Sequence, residues 1–394
     1  MVELMISMVI GLFIVLALLT LLININRNNA ELTKTNRIIE NGRYALQLLE
    51  ADVSHAGFLG GFVPAFDDLT VSNAAQLTDF PNAAPDPCLA FANWDDQYKT
   101  NLLGIAVQSY PTTGSPTASI PVCGTRTVNL QPNSDALFVR HVDTESCVAG
   151  TAGCPASVGE PYLQVNNCWD STSPGYSTTT YVFGSATTAF TLNQGSCTPG
   201  APAAAASAGT RAELRKFVSN LYFIRNYAST AGDGIPTLVR SQFGLDTVGG
   251  VISPQFKAAE SMIPGIDGFR VEFGVDSVSA TGAALGTASF QALPIFPNAA
   301  NLIMPSNRGD GYPDGAYVRC PAAGCTPFQL ANTVAVKIYV LVRSESSTPS
   351  YKDVKTYQLG SSTLGPFNDG YKRHLFTQTV RLSNISSRRE TPPP

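Results

Sequence analysis

Residues Leu4–Ile23 read LMISMVIGLFIVLALLTLLI, a run of twenty residues with no formal charge. No other feature limits the fold as strongly. At about 1.5 Å per residue the run makes a helix of roughly 30 Å, the thickness of one hydrocarbon core. A cleaved secretory signal has a basic start, an apolar stretch of about 7–15 residues and a small-residue cleavage site. This run is longer, no basic residue precedes it and no A-x-A site follows it. It reads as one retained membrane span, with Leu4, Gly11 and Ile23 inside it. No second segment is as long and apolar, which excludes a multi-span membrane protein. Glu3 stands at the N-terminal edge of the span, where a carboxylate complements the helix macrodipole.

Beyond Ile23 the chain turns polar but has no proline before Pro64. Leu32, Ile39, Leu46 and Val53 recur every seven residues, with Thr35, Gly42, Leu49 and Ala56 as their i+3 companions. That spacing predicts an apolar stripe on a continuing helix. Glu31, Lys34, Arg37, Glu40, Arg43, Glu50 and Asp52 fall mostly on other faces. Gly57, Gly60 and Gly61 are stop signals, so the helix is expected to end near residue 56. From residue 2 it would be roughly 80 Å long. Asn24, Asn26, Asn28 and Asn29 are poor helix formers at the junction. They leave open an anchor followed by a separate amphipathic helix.

The rest of the chain has a different character. Only 14% of all residues are charged, against roughly 25% in ordinary soluble domains. With 20 Phe and 14 Tyr the chain is too rich in aromatics for disorder. A net charge of −4 gives no support to nucleic acid as a partner. Eight cysteines all follow the helix: Cys88, Cys123, Cys147, Cys154, Cys168, Cys197, Cys320 and Cys325. None forms a C-x-x-C pair, and close Cys/His zinc spacing is absent, so disulfides in an oxidising compartment fit best. Short loops favour Cys147–Cys154 and Cys320–Cys325, which leaves Cys88–Cys123 and Cys168–Cys197. Arg27, Lys34, Arg37 and Arg43 after the span would alone point that flank to the cytoplasm. The cysteines oppose this, and they carry more weight.

Period-two alternation dominates past Gly57. Phe269, Val271, Phe273 and Val275 alternate with Arg270, Glu272, Gly274 and Asp276. Val334, Val336, Ile338, Val340 and Val342 form one face of a second strand, and residues 214–225 form a third. Residues 135–142 and 374–382 are weaker strands. The stretch TPGAPAAAASAGT, 198–210, is small and flexible, and six cysteines precede it. The expected organisation is a helix over 1–56 (transmembrane 4–23, amphipathic 24–56) and a disulfide-rich β/loop region over 57–197. A linker over 198–210, a β-sheet domain over 211–386 and a tail over 387–394 follow. The fold class is α+β, a long N-terminal helix packed on a mainly antiparallel sheet head with disulfide-stapled loops.

Residues 2–12, VELMISMVIGL, resemble the N-terminal methylation motif of type IV pilins and pseudopilins. The resemblance implies a short leader ending in Gly, cut by a prepilin peptidase. The cleaved bond would lie two residues before Met1, so the cleavage site is absent from this sequence. Glu3 matches the family's Glu, which is implied to guide packing onto a neighbouring subunit's new terminus. Further blocks are ENGRYALQLLEADVSHAGFLGG (40–61), GDGIPTLVR (232–240), IPGIDGFRVEFGVDS (263–277), PDGAYV (313–318), VAVKIYVLVRSES (334–346) and YKRHLFTQTVRLSN (371–384). In content and order they are similar to the PilW family of minor pilins. The resemblance implies other minor and major pilins as partners and an inner-membrane anchor with a periplasmic head. After assembly the protein would reach the cell surface, in a complex that primes the pilus or sits at its tip.

Other candidates weigh less. Asp310 and Asp314, and Asp233, could offer oxygens to calcium, but the D-x-D-x-D-G pattern is missing and Asp-Gly is ordinary turn chemistry. Lys372, Arg373, His374, Arg381, Arg388 and Arg389 read as a solvated strand face and tail. Trp94 and Trp169 read as core or recognition surface. No G-x-S-x-G, G-x-x-x-x-G-K-[ST] or H-E-x-x-H motif occurs, so no enzyme and no cofactor are expected. The reading is a structural and assembly subunit. Its rivals are a pilus-tip adhesin using 57–197 as its binding surface and a type II secretion pseudopilin.

Overall fold

The computed structural model describes residues 2–69, 79–112, 123, 127, 129–132, 134–148, 154, 159–166, 180–192, 211–296 and 305–390. Helix α1 runs unbroken over Val2–His55. The asparagines at its middle do not interrupt it. Its buried residues are Ile38, Gly42, Ala45, Leu49 and Val53. The expected stripe is corrected here: Leu32 is 61% and Ile39 36% exposed. A straight helix follows 3.6 residues per turn, so a strict seven-residue repeat drifts off the face in contact. The true stripe keeps Gly42, Leu49 and Val53 and adds Ile38 and Ala45.

Past α1 come α2 (Asp96–Gly104), β1 (Val107–Pro111), β2 (Asp135–Val142), β3 (Cys147–Val148), β4 (Tyr162–Val165) and β5 (Tyr181–Gly184). Then follow β6 (Glu213–Arg225), β7 (Thr237–Val248), β8 (Val251–Phe256), β9 (Glu260–Pro264) and β10 (Ile266–Val275). The chain closes with α3 (Pro327–Ala331), β11 (Thr333–Arg343), β12 (Tyr357–Leu359), β13 (Ser362–Leu364), β14 (Arg373–Arg381) and α4 (Ser383–Arg389).

Strands β1 to β9 make one antiparallel sheet around β6. The first half of β6 pairs with β3 and β4, and its later part pairs with β2 and β7. The 198–210 stretch, expected as a linker between regions, lies outside the described residues. Strands β10, β11 and β14 form a second antiparallel sheet, with α1 packed on it. The β12–β13 hairpin covers the other face of that sheet through Tyr339, Leu341, Tyr357 and Leu359. The main core joins Leu49 and Val53 of α1 to Phe269, Val271, Phe273, Val336, Ile338 and Val340.

Alternation in β10 suggests one wet face, yet all ten of its residues are buried. The polar face is covered because its charges find partners. Arg270 meets Asp135 at 3.2 Å, and Glu272 accepts from the Tyr339 hydroxyl at 3.1 Å. Among the described residues three bridges staple the loops: Cys88–Cys123, Cys147–Cys154 and Cys320–Cys325. Cys168, Cys197 and Trp169 lie outside the described residues.

Candidate functional site

The feature that sets this molecule apart from a simple sheet protein is α1, which is bare for half its length and fastened for the rest. Every large apolar side chain described from Val2 to Ile25 is exposed, Leu4 at 68% and Ile23 at 63%. The apolar window of the helix makes no buried contact with the head. A ribbon of this kind is stable only in lipid or against other apolar helices. Glu3 sits exposed in its first turn, and the Glu3 carbonyl accepts from the Ser7 hydroxyl at 2.8 Å. A Cβ added at Gly11 would meet nothing within 4 Å. Nothing in the isolated subunit therefore requires glycine there.

The second half of α1 is held at three levels. Close to the bare half, Arg27 donates to the Pro349 carbonyl at 3.5 Å, and Lys34 donates to the Ser347 carbonyl at 3.1 Å. Glu31 pairs with Lys372 at 2.6 Å and with Lys34 at 3.1 Å, and Arg37 pairs with Glu345 at 3.2 Å. The Lys372 contact, with help from Lys34 and Thr348, holds the Glu31 carboxyl down to about 2. Three of the four cations that looked like a topology signal are thus fasteners between helix and head.

At mid-height Asn41 donates to the Pro264 carbonyl at 3.0 Å. Beside it Gly42 lies against β14. A Cβ at Gly42 would fall 2.2 Å from the Phe376 ring. Glycine costs an exposed helix interior about 1 kcal/mol relative to alanine. Here it permits the close approach.

Near its end α1 carries Asp52, whose carboxylate accepts from Asn220 at 2.9 and 3.0 Å and meets His141 Nε2 at 3.0 Å. Asp52 and His141 edge a cleft of about 310 Å³ between helix and sheet, shared with His55, Asp143, Tyr222 and Arg240. Burial pulls the His141 imidazole down. The hydrogen bond and charge of Asp52, the Val142 carbonyl and the charge of Asp143 outweigh it, so the net shift is upward. Burial raises the Tyr222 hydroxyl far above its ordinary range, so it stays a neutral donor. The chain leaves α1 through Gly57, at φ 75°, whose N–H donates to the Arg140 carbonyl at 3.0 Å.

The remaining sequence candidates fall into structural roles. Asp314 accepts from the backbone of Ser277 and Val278 at 2.7 Å, and Asp310 from that of Tyr312 at 3.0 Å. Asp233 gathers the backbone N–H groups of Ala228, Ser229, Thr230 and Ile235. Asp310 and Asp233 are thus turn-formers, Asp314 caps the backbone that follows β10, and no metal-holding group occurs among the described residues. Trp94 stacks on Phe243 with ring centroids 5.2 Å apart and donates to the Leu89 carbonyl at 3.0 Å. It fills core.

The expected solvated basic face is corrected at three positions. Arg373 is enclosed by Asp267, Asp353 and Asp369 at 2.7–2.9 Å. Arg389, in α4 where a tail was expected, meets Asp67 at 2.7 Å and Asp276 at 3.3 Å. Arg388 donates to the Gly57 carbonyl at 2.6 Å. Their acidic partners come from distant parts of the chain, so spacing along the sequence gives no warning of burial. The Asp52–His141 pair and the Phe376 contact were missed for the same reason, although Gly42 itself lay in the expected stripe.

The sheet onto which α1 is fastened decides the family comparison. Residues 221–384 match PilW, the type IV pilus-assembly protein W family. The PilW segment runs from the later part of β6 through β14, and so contains the whole of the sheet that α1 packs against. The match spans 164 of the 394 residues, under half of the chain. No curated protein matches the chain. A solved structure, a type IV-like pilin from Thermus thermophilus, is similar at 9% identity and a TM-score of 0.30, covering 89% of this chain and 98% of that one. So loose a superposition assigns neither topology nor function.

Proposed function

We propose that this chain is a minor pilin, a structural and assembly subunit of a type IV pilus initiation or tip complex. One observation carries the reading: a single continuous helix has a bare apolar half and a second half locked into a PilW sheet. Such a helix gives a rigid connection between a lipid-soluble ribbon and a polar head. Before incorporation residues 4–23 hold the protein in the inner membrane, single-pass, with the head in the periplasm. The disulfides among the described residues fit that oxidising side. On incorporation the ribbon leaves lipid for a bundle with the helices of other minor and major pilins, both of which are apolar surroundings.

In that bundle Glu3 acts as a register device. A carboxylate in a dry bundle is costly unless a counter-charge meets it. The resemblance of the N-terminus supplies that counter-charge, the terminal ammonium exposed on a neighbour by the prepilin peptidase. Glu3 then specifies subunit packing more than it adds stability. Changing Glu3→Ala in the intact gene should leave protein level and membrane insertion unchanged. Pilus number by electron microscopy should fall by about tenfold or more, the loss expected when a packing contact worth at least ~1.4 kcal/mol is removed. Normal piliation and twitching would overturn the assembly role.

A further inference from the structure

We propose that the membrane-proximal base of the head is a docking surface for anionic phospholipid, with Arg27, Lys352 and Lys355 meeting headgroup phosphates and Val354 entering the interface. The inference rests on residues 4–23 being a membrane span. It adds a second membrane contact, made by the head itself.

Distance along the helix sets the level of this surface. Arg27 is the first charged residue after the apolar run. It lies four residues beyond Ile23, about 6 Å along the axis, which is within the headgroup layer. The Arg27 guanidinium reaches the Pro349 carbonyl, and Lys34 reaches Ser347 and Thr348. The loop between β11 and β12, residues 344–356, is therefore seated on α1 where the helix emerges. Glu31, Lys372 and the Arg37–Glu345 pair fix it there. The head cannot stand away from the bilayer while these contacts hold.

Glu345 at the start of the loop is exposed and paired with Arg37, but the run Lys352–Lys355 sorts its side chains by sign. Lys352, Val354 and Lys355 are exposed, Val354 at 65%. Asp353, between them, is fully buried and accepts from Arg373 at 2.9 Å and from the Tyr357 hydroxyl at 3.1 Å. The one acid in the run Lys352–Lys355 is thus turned inward. Among the described residues neither lysine has an ion-pair partner. The chain as a whole carries −4, so this basic face does not follow bulk charge. Two ammonium groups and a guanidinium beside an exposed aliphatic side chain match the phosphate layer over acyl chains. Docking there would set the tilt and rotation of the head before the helix is withdrawn from lipid.

The test uses the full chain with Val354→Trp, reconstituted in phosphatidylcholine vesicles with or without phosphatidylglycerol. Flotation after alkaline carbonate comes first, and loss of flotation would overturn the span and this proposal together. With flotation intact, emission of the new tryptophan, taken relative to the parent chain, is quenched by headgroup-spin-labelled lipid. In phosphatidylglycerol vesicles, quenching should exceed that of the same variant carrying Lys352→Glu and Lys355→Glu by about two-fold or more, and high salt should remove the excess. Equal quenching in both variants, or none in either, with flotation intact, overturns the docking surface and leaves the span standing.

Discussion

The two halves of α1 share one backbone geometry and have opposite surroundings. From Val2 to Ile25 the apolar side chains are bare. From Ile38 to Val53 the inward face is closed by the β10–β11–β14 sheet. Isolated helices in water are marginal even at good propensity, and tertiary packing supplies most of their stability. The head half draws on the sheet for that support. The other half must find it in lipid or in neighbouring helices. The same substitution should therefore read as a packing error in one half and as nearly silent in the other.

Gly42→Leu against Gly11→Leu is the widest test of that contrast. At Gly42 the new side chain would displace the Phe376 ring, which a Cβ alone already overlaps. Overpacking of this kind costs about 2–3 kcal/mol after the small gain in helix propensity. At Gly11 nothing stands within 4 Å, so the change should stay within about 0.5 kcal/mol. Denaturant unfolding of the detergent-solubilised chain measures both. Adding Phe376→Ala to Gly42→Leu should restore part of the loss. Equal losses at the two glycines would break the contrast.

Asp52→Ala comes next, with an expected cost of about 1–2 kcal/mol, because Asn220 and His141 lose their shared acceptor. The effect should depend on pH. The folded-state His141 sits above its ordinary value, and Asp52 is among the causes. Its contribution is fully present below the unfolded value, near 6.5, and is lost as pH rises through the folded value. The parent chain should therefore exceed Asp52→Ala by more at pH 5.5 than at pH 8.5. His55, Asp143, Tyr222 and Arg240 face the same cleft and are unchanged in both proteins. A gap that widens with pH would mean that His141 is not coupled to Asp52.

An unbroken apolar run made the bare half of α1 readable, and periodicity the strands at 135–142, 214–225, 269–275 and 334–342, because each pattern continues over several residues. Strand β7 was not readable. It changes partner along its length, from β9 at Thr237–Arg240 to β8 at Phe243–Val248, so no face keeps one environment. The short cysteine loops were readable because little chain has to be closed. The buried guanidiniums were not. Arg373 and Arg389 are held by Asp267, Asp353, Asp67 and Asp276, which only the finished fold brings together. The helix–head seam was half visible. Gly42, Leu49 and Val53 lay in the expected pattern, while Ile38 and Ala45 did not. For Glu3 the structure shows an exposed carboxylate, and its role remains the proposal made above.

Glu31→Gln probes the boundary between the two halves and should have the smallest effect. Glu31 ties Lys34 and Lys372 together at the point where α1 meets the 344–356 loop. Its side chain is 22% exposed, close to water and salt. Partly exposed pairs are worth about 0–1 kcal/mol, and screening lowers that further. With the folded value held down to about 2, the contribution is present above the ordinary carboxylate range and is lost as pH falls toward 2. Parent and variant should therefore differ slightly at pH 6 in low salt and converge in high salt or at pH 2. Hydrogen exchange should also speed up in the 344–356 loop of the variant, with no change around Gly42 or Asp52. If exchange rose equally along the whole seam, the three levels of attachment would be one cooperative unit, and the helix would divide only where lipid begins.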